Sequence, residues 1–207
     1  MLEVILIVVG VLVCLGLLVL MMLWDDARDY RAISAWAQEH NWTYSRGGER
    51  RWTEALPSVA DKHVTGWVDG VLRGHAFTLV HAKVPRGTAG AGIVWISVVV
   101  VIVHLPSEWP AVEVTSSIIP RWRSTTDIVG HPEFDRRFRV RTDAPGGPQA
   151  VIPRELADAH VAGTVPPWSA RGRELHVAQK SAKLTELDAA VDQAIAIGDL
   201  LGVPRST

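Results

Sequence analysis

The stretch IVWISVVVVIVHL, residues 93–105, decides the fold of this chain. Most of its residues are β-branched, and such side chains suit a strand better than a helix. A continuous apolar run is typical of a strand that is buried on both faces. The run is too short to cross a bilayer as a helix, which needs about 20 residues. We therefore predict that residues 93–105 form the central strand of a sheet.

The segments on either side of this run predict further strands. Residues 64–84 contain two apolar runs separated by RGH, which predicts a hairpin with Gly74 in the turn. The Gly-rich residues 85–92, PRGTAGAG, are interpreted as a loop between that hairpin and the central strand. AVEVT, residues 111–115, alternates apolar and polar side chains and predicts another strand. PWSARGRELHV, residues 167–177, is interpreted as a small hairpin that turns near Arg171 and Gly172.

Apolar residues at helical spacing predict three helices. Residues 25–40 form the first, and Asn41 can end it because asparagine tolerates the left-handed conformation. A second helix begins at Pro153, which is favoured in a first turn, and stops at Gly163.

The last predicted helix has Leu184, Thr185 and Asp188 as an approximate hydrophobic staple and capping box, and it ends at Gly202. Strands in succession with helices added at the ends indicate an α+β fold with a mostly antiparallel sheet and flanking helices.

The N-terminus has the length and composition of a membrane anchor. Residues 4–24 carry no charge and span about 30 Å as a helix. Trp24 stands at the expected headgroup level and predicts a membrane-interface anchor. We therefore expect three regions, given by number: 1–24, transmembrane helix; 25–63, juxtamembrane helix and polar connection; 64–203, α+β domain.

Charge and cysteine content predict where the domain lies. Arg28 and Arg31 follow the apolar segment, and cationic flanks stay in the cytoplasm, so we expect a single-pass protein of the inner (plasma) membrane with a cytoplasmic C-terminal domain. The only cysteine is Cys14, so no disulfide can brace the domain, as suits a reducing compartment. The formal net charge is −1, so the chain lacks the excess of positive charge that is typical of a nucleic-acid-binding domain.

The stretch HPEFDRRFRVRTD, residues 131–143, raises the question of a binding site. FRVRT predicts a strand with Arg137, Arg139 and Arg141 on one face, and guanidinium groups bind phosphate or carboxylate well. Arg121 and Arg123 flank a tryptophan and form a second small cationic site. These five arginines are candidates for contact with an anion or a partner. A solvated strand face, with a cross-strand partner such as Glu113, explains the same pattern.

Signatures of catalysis and of bound groups are weak. No H-E-x-x-H, C-x-x-C or G-x-S-x-G motif occurs, and GTAGAG lacks the following helix that phosphate cradles use. His75 and His81 could face the same way on a strand, but no third ligand is suitably spaced. We therefore predict no catalytic residues, no cofactor and no metal.

Four segments carry a resemblance: WAQEHNWTY, WPAVEV, HPEFDRRFRV and AVIPRELADAHV. In this order they resemble a group of uncharacterised actinobacterial single-pass membrane-anchored proteins, whose C-terminal part is similar to a bacterial domain of unknown function. The resemblance covers about residues 30–202 and implies a fold and an anchor, with no reaction attached.

The sequence thus favours a membrane-anchored, non-enzymatic protein-binding domain, as an accessory or regulatory subunit of a membrane complex. Its partners would be the bilayer, through the N-terminal helix, and a protein in or at the membrane. One alternative is a module that binds anionic lipid surfaces through the five arginines. Another is an enzyme whose site the motifs do not reveal.

Overall fold

The computed structural model describes most of the chain from Tyr30 onwards. The described residues are 30–47, 63–89, 92–116, 129–180 and 184–203, together with the helical positions 10, 13, 16 and 17. Most of the predicted membrane helix, Trp24, Arg121 and Arg123 lie outside them. Within the described ranges, no helix has both the length and the apolarity needed to cross a bilayer. The single-pass anchor stays a prediction.

In the described part of the chain, six strands form one sheet in which every strand pair is antiparallel. They are β1 (Thr43–Arg46), β2 (His63–Leu72), β3 (His75–Ala89), β4 (Gly92–Ser116), β5 (Phe138–Thr142) and β6 (Trp168–Lys180). The order is β1-β2-β3-β4-β5, and β6 pairs with the free edge of β4. The expected antiparallel α+β fold is confirmed.

β4 is the strand that holds the sheet together. Along one edge it pairs first with β3, up to Val103, and then with β5 from Val112. Along the other edge it pairs with β6 from Val98 to Val114. The central position predicted for residues 93–105 is therefore confirmed. AVEVT is not a separate strand, because β4 continues to Ser116 through two register shifts.

Two other strand predictions were wrong for a related reason. The predicted loop at 85–92 is mostly strand, because β3 runs to Ala89 and β4 begins at Gly92. The predicted hairpin at 167–177 is one continuous strand, β6. Gly172 has the left-handed φ of 59°, but it lies opposite Trp109, where the register with β4 shifts, so it forms a bulge and not a turn.

In the described residues from Tyr30 onwards, one helix precedes the first strand, three lie between β4 and β6, and one follows the last strand. They are α1 (residues 30–39), α2 (Pro132–Arg137), α3 (Pro148–Val151), α4 (Arg154–Ala162) and α5 (Leu187–Leu200), the last preceded by a 3₁₀ turn (Leu184–Glu186). Asn41 (φ 57°) ends α1 and Gly163 (φ 74°) ends α4, as predicted. The hairpin turn at Arg73 and Gly74 also has two positive φ angles, as its tight type requires.

The predicted capping box of the last helix is wrong. The N-cap of α5 is Glu186, and its side chain makes no capping hydrogen bond. Asp188 instead accepts a hydrogen bond from Trp36 Nε1 at 2.9 Å, which ties α5 to α1. A tertiary contact therefore uses the carboxylate that local sequence assigned to a cap.

The helices pack on one face of the sheet, here called the helix face. Ile33, Trp36 and Ala37 of α1 are buried in its core, and β1 extends the sheet. The folded body therefore includes residues 30–47 as well as the described residues of the range 64–203. The other face, here called the opposite face, carries a second cluster of buried apolar side chains: Val64, Val80, Ala82, Val98, Val100 and Ile102.

Gly70 is a position where the helix face has no room for a side chain. A Cβ there would lie 2.7 Å from two ring atoms of Trp42 and 2.9 Å from Phe77. We expect Gly70→Ala to lower the free energy of unfolding by about 1–3 kcal/mol, measured by urea unfolding, because both rings must shift. Gly198→Ala is the control: its Cβ would meet nothing closer than 4.0 Å, and alanine suits a helix better than glycine. Equal stability of the two variants would contradict the prediction.

Candidate functional site

The HPEFDRR stretch forms α2, and its polar residues hold the chain in place. His131 is the N-cap: its Nδ1 accepts the Phe134 N–H at 3.2 Å, and its Nε2–H donates to Asp158 of α4 at 2.8 Å. The Asp135 carboxylate accepts the N–H groups of Val129 and Gly130 at 2.9 and 3.1 Å. These contacts fix how the chain enters the helix, so the stretch needs no ligand to explain it.

The aromatic residues of the same stretch lie in the core. Phe134 is fully buried and stacks on Phe138 at a centroid distance of 5.1 Å. Both rings contact His160 of α4. His160 Nε2 accepts a hydrogen bond from Trp168 Nε1 at 3.0 Å, so Nδ1 carries the proton, and this buried Nδ1 has no hydrogen-bond partner among the described residues. Burial lowers the pKa of His160 to about 4, from an ordinary 6.5.

The predicted row of three arginines is only partly present. Arg137 ends α2 and donates to the Val161 carbonyl at 2.8 Å, so it does not belong to the strand. Arg141 lies on β5 opposite Glu113, and the ion pair between them is 3.8 Å long, as the strand-face interpretation predicts. Arg139 is half-buried and has contacts of its own. A partner contact at Arg139 and Arg141 stays a prediction.

Arg141 lies at the rim of a groove on the opposite face, with a volume of about 740 Å³. The groove crosses β5, β4 and β6, and its polar side chains stand in rows across the strands. One row consists of Arg141, Glu113 and Ser169, which the strand register aligns. The residues that complete the polar part of the lining are Thr115, Thr142, Asp143, Arg171, Glu174 and His176.

His176 and Glu174 mark the end of the groove near the sheet centre. His176 Nε2–H donates to Glu174 at 2.9 Å. Burial lowers the pKa of His176, and the hydrogen bond and the charge of Glu174 oppose this effect. The imidazole is therefore neutral near pH 7, and its Nδ1 is a hydrogen-bond acceptor.

A chain of polar side chains continues across the opposite face from β4 to β2. The hydroxyl of Thr78, which is buried, donates to Asp69 at 2.6 Å. A hydroxyl has one proton, so the 2.9 Å contact between Thr78 and His104 must be a donation from His104 Nε2–H. His104 in turn lies close enough to His176 to lower its pKa.

Comparison with known proteins bears on this architecture. The chain is similar in fold to a solved mycobacterial protein. The similar structure is the crystal structure of the mycobacterial trehalose monomycolate transport factor A, TtfA. The two chains superpose with a TM-score of 0.60, and their sequences are 16% identical. The similarity covers 86% of this chain and 97% of that chain. No known protein family matches the sequence, and no curated protein does either.

The contacts of Thr78 do not activate its hydroxyl as a nucleophile. A nucleophilic hydroxyl needs a base that accepts its proton, whereas Thr78 donates to a carboxylate and His104 donates to Thr78. Of the two histidines considered for a metal, His75 contacts Asp199 at 3.1 Å and His81 contacts Thr65. Among the residues that the structure describes, no three His, Cys, Asp or Glu side chains are grouped to hold a metal ion.

Sequence reasoning missed the groove. Ser169, Glu174 and His176 were assigned to a hairpin, which would have separated the first of them from the other two. Only as one strand paired with β4 do they share a face with Glu113. The alternation of ELHVA, residues 174–178, with polar and small residues on one face, was the available signal.

Proposed function

We propose that this protein is a membrane-anchored accessory factor of a membrane complex, and that its α+β domain binds a protein partner at the inner membrane. The observation that carries this proposal is the fold shared with TtfA over 97% of that chain. TtfA is named for the transport of trehalose monomycolate. We propose the same class of role here, in the movement of an envelope lipid.

Two features of the chain support the anchor and the absence of catalysis. Residues 4–24 are uncharged and long enough for one membrane helix, and Arg28 and Arg31 favour a cytoplasmic domain. The polar residues of the HPEFDRR stretch are engaged in capping and loop contacts. We propose in addition that the chain is related to the actinobacterial anchored proteins that its sequence resembles.

The described arginines give less support to an anionic-lipid module. Arg137 is bound to a helix carbonyl, and Arg141 faces Glu113. Glu133 lies 4.0 Å from Arg137 and Glu113 lies 3.8 Å from Arg141. A carboxylate beside a guanidinium weakens its attraction to a negative surface. The protein-partner proposal is therefore preferred.

Topology is the first test. Single cysteines at the exposed positions Thr43 and Glu155, in a Cys14→Ala background, are treated with a membrane-impermeant thiol reagent. We expect labelling only after the cells are opened. Labelling of both positions in intact cells would contradict the cytoplasmic placement.

Partner binding is the second test. A photo-crosslinking residue at Arg141, whose side chain is 84% exposed, is introduced into the full-length chain in native membranes. We expect a defined adduct with an integral membrane protein, and we expect deletion of the chain to change the lipid composition of the envelope. The same residue at Val71, exposed on the distant hairpin, is the control. Turnover of a substrate by the purified protein, abolished by a point substitution in the groove, would contradict a non-enzymatic role.

A further inference from the structure

The groove on the opposite face has the size of a small-molecule site. Its volume of about 740 Å³ falls within the range of about 300–1,000 Å³ that is usual for ligand pockets. The sheet forms its floor, and a rigid floor suits recognition because strand positions are held more firmly than loops. Neither the shared fold nor the HPEFDRR stretch accounts for this feature.

The charges in the groove are mixed, and this limits the class of ligand. Among the lining residues that the structure describes, three carboxylates, from Glu113, Asp143 and Glu174, stand beside two guanidinium groups, from Arg141 and Arg171. A phosphate would meet the carboxylates and a polyamine would meet the guanidinium groups, and like-charge contacts disfavour both ligands. A neutral ligand avoids both penalties.

The lining offers hydrogen-bond donors and acceptors side by side. Arg141 and Glu113 are 84% and 52% exposed, and the 3.8 Å between them is longer than a hydrogen bond, so neither group saturates the other. Ser169, next in the row, has a hydroxyl that can donate and accept. At the other end His176 presents Nδ1 as an acceptor, since Nε2–H is committed to Glu174. Ligand hydroxyl groups, which both donate and accept, match such a surface.

We propose that the groove binds a neutral polyhydroxylated group of the carbohydrate class, either as a free saccharide or as the head group of a glycolipid. An alkyl chain attached to the head group would pack against Ala178 and Pro167, which are exposed at the groove. This inference rests on the proposed role in lipid movement and names the chemistry that the groove recognises.

The test uses the full-length protein in phosphatidylcholine nanodiscs, with empty nanodiscs as background. Saturation-transfer NMR measures the binding of maltose, α,α-trehalose and hexyl maltoside, and also of glucose 6-phosphate and spermidine. We expect saturable binding of the neutral saccharides. Tighter binding of hexyl maltoside than of maltose identifies a glycolipid head group as the source, and equal binding identifies a free saccharide.

Three variants test whether the saccharide binds in the groove or elsewhere on the surface. We expect Ser169→Ala to weaken saccharide binding. We expect Glu113→Ala, which removes a charged group, to weaken it about tenfold. Arg136→Ala, which removes an exposed arginine outside the groove, should bind as the unchanged protein does. Thermal melting checks that all three variants are folded.

The inference would be overturned by an absence of saccharide binding by the folded protein, or by at least tenfold tighter binding of glucose 6-phosphate or spermidine. Unchanged binding in the Glu113 and Ser169 variants would also overturn it. The crosslink to a membrane partner is measured separately, so its presence without saccharide binding rejects the ligand and leaves the proposed function standing.

Discussion

Replacement of Phe134 by alanine should lower the free energy of unfolding by about 3–5 kcal/mol, the usual cost of truncating a buried phenylalanine. Phe134 is fully buried in α2, stacks on Phe138 and meets His160 edge to face. Its loss would leave a cavity at the point where α2, β5 and α4 join. Urea unfolding followed by circular dichroism measures the change.

Arg136→Ala is the matched control, because Arg136 lies on the same short helix and is 67% exposed. Its bidentate ion pair with Glu133 is on the surface, so we expect a loss below about 1 kcal/mol. If Phe134→Ala kept the stability of the unchanged protein and lost the crosslink to the membrane partner, the stretch would be a binding surface and its structural assignment would be wrong.

Stability should fall as the pH is lowered from about 6.5 to about 4 because of His160. Burial holds its pKa near 4 in the folded protein, below the ordinary 6.5. The unfolded chain takes up a proton in this window and the folded protein does not, so acidification favours unfolding. The contribution is complete above pH 6.5 and is lost as the pH falls towards 4, with a size of about 3 kcal/mol.

His160→Gln tests this assignment, since a glutamine side chain can still accept the Trp168 N–H but does not titrate in this range. Between pH 6.5 and pH 4, we expect the free energy of unfolding of the variant to fall by about 3 kcal/mol less than that of the unchanged protein. Urea unfolding at several pH values measures the difference. Titration of the His160 ring by NMR gives an independent value. A midpoint near 6.5 in the folded protein would contradict the prediction.

Single residues predicted the local structure correctly where the backbone conformation admits few residue types. Asn41 and Gly74 have positive φ, and Gly163 ends α4 in the same conformation. Few residues adopt such angles, so these positions could be read without knowledge of the tertiary structure. The β-branched run at 93–105 likewise identified the central strand, because its composition suits burial on both faces.

The boundaries of the strands could not be obtained in this way. Gly172 has the φ of a turn residue, yet it forms a bulge because β4 shifts register opposite it. β4 also continues through the prolines at 106 and 110, although proline cannot donate a ladder hydrogen bond. Whether a glycine or a proline ends a strand depends on the pairing strand, which lies far away in sequence.

The candidate site was predicted only in part, for the same physical reason. Arg141 and its partner Glu113 were found, since the alternation of β5 indicated an outward face. Arg137 was misplaced because one helical turn ends where the strand begins. The alternation of residues 174–178 indicates which side chains of β6 share a face, but their place in the groove depends on the register with β4, which no local pattern contains.

The pairing of β4 with β6 has a consequence for synthesis of the chain. The ribosome releases residues 98–103, an apolar edge, well before it reaches residues 168–180 that cover it. At about 5–20 residues per second, this edge waits for several seconds with unpaired backbone groups. Such an edge is a template for pairing with another nascent chain. A ribosome that stalls before residue 180 would therefore release a product prone to aggregate, so timely completion of the C-terminus is itself a condition for reaching the native state.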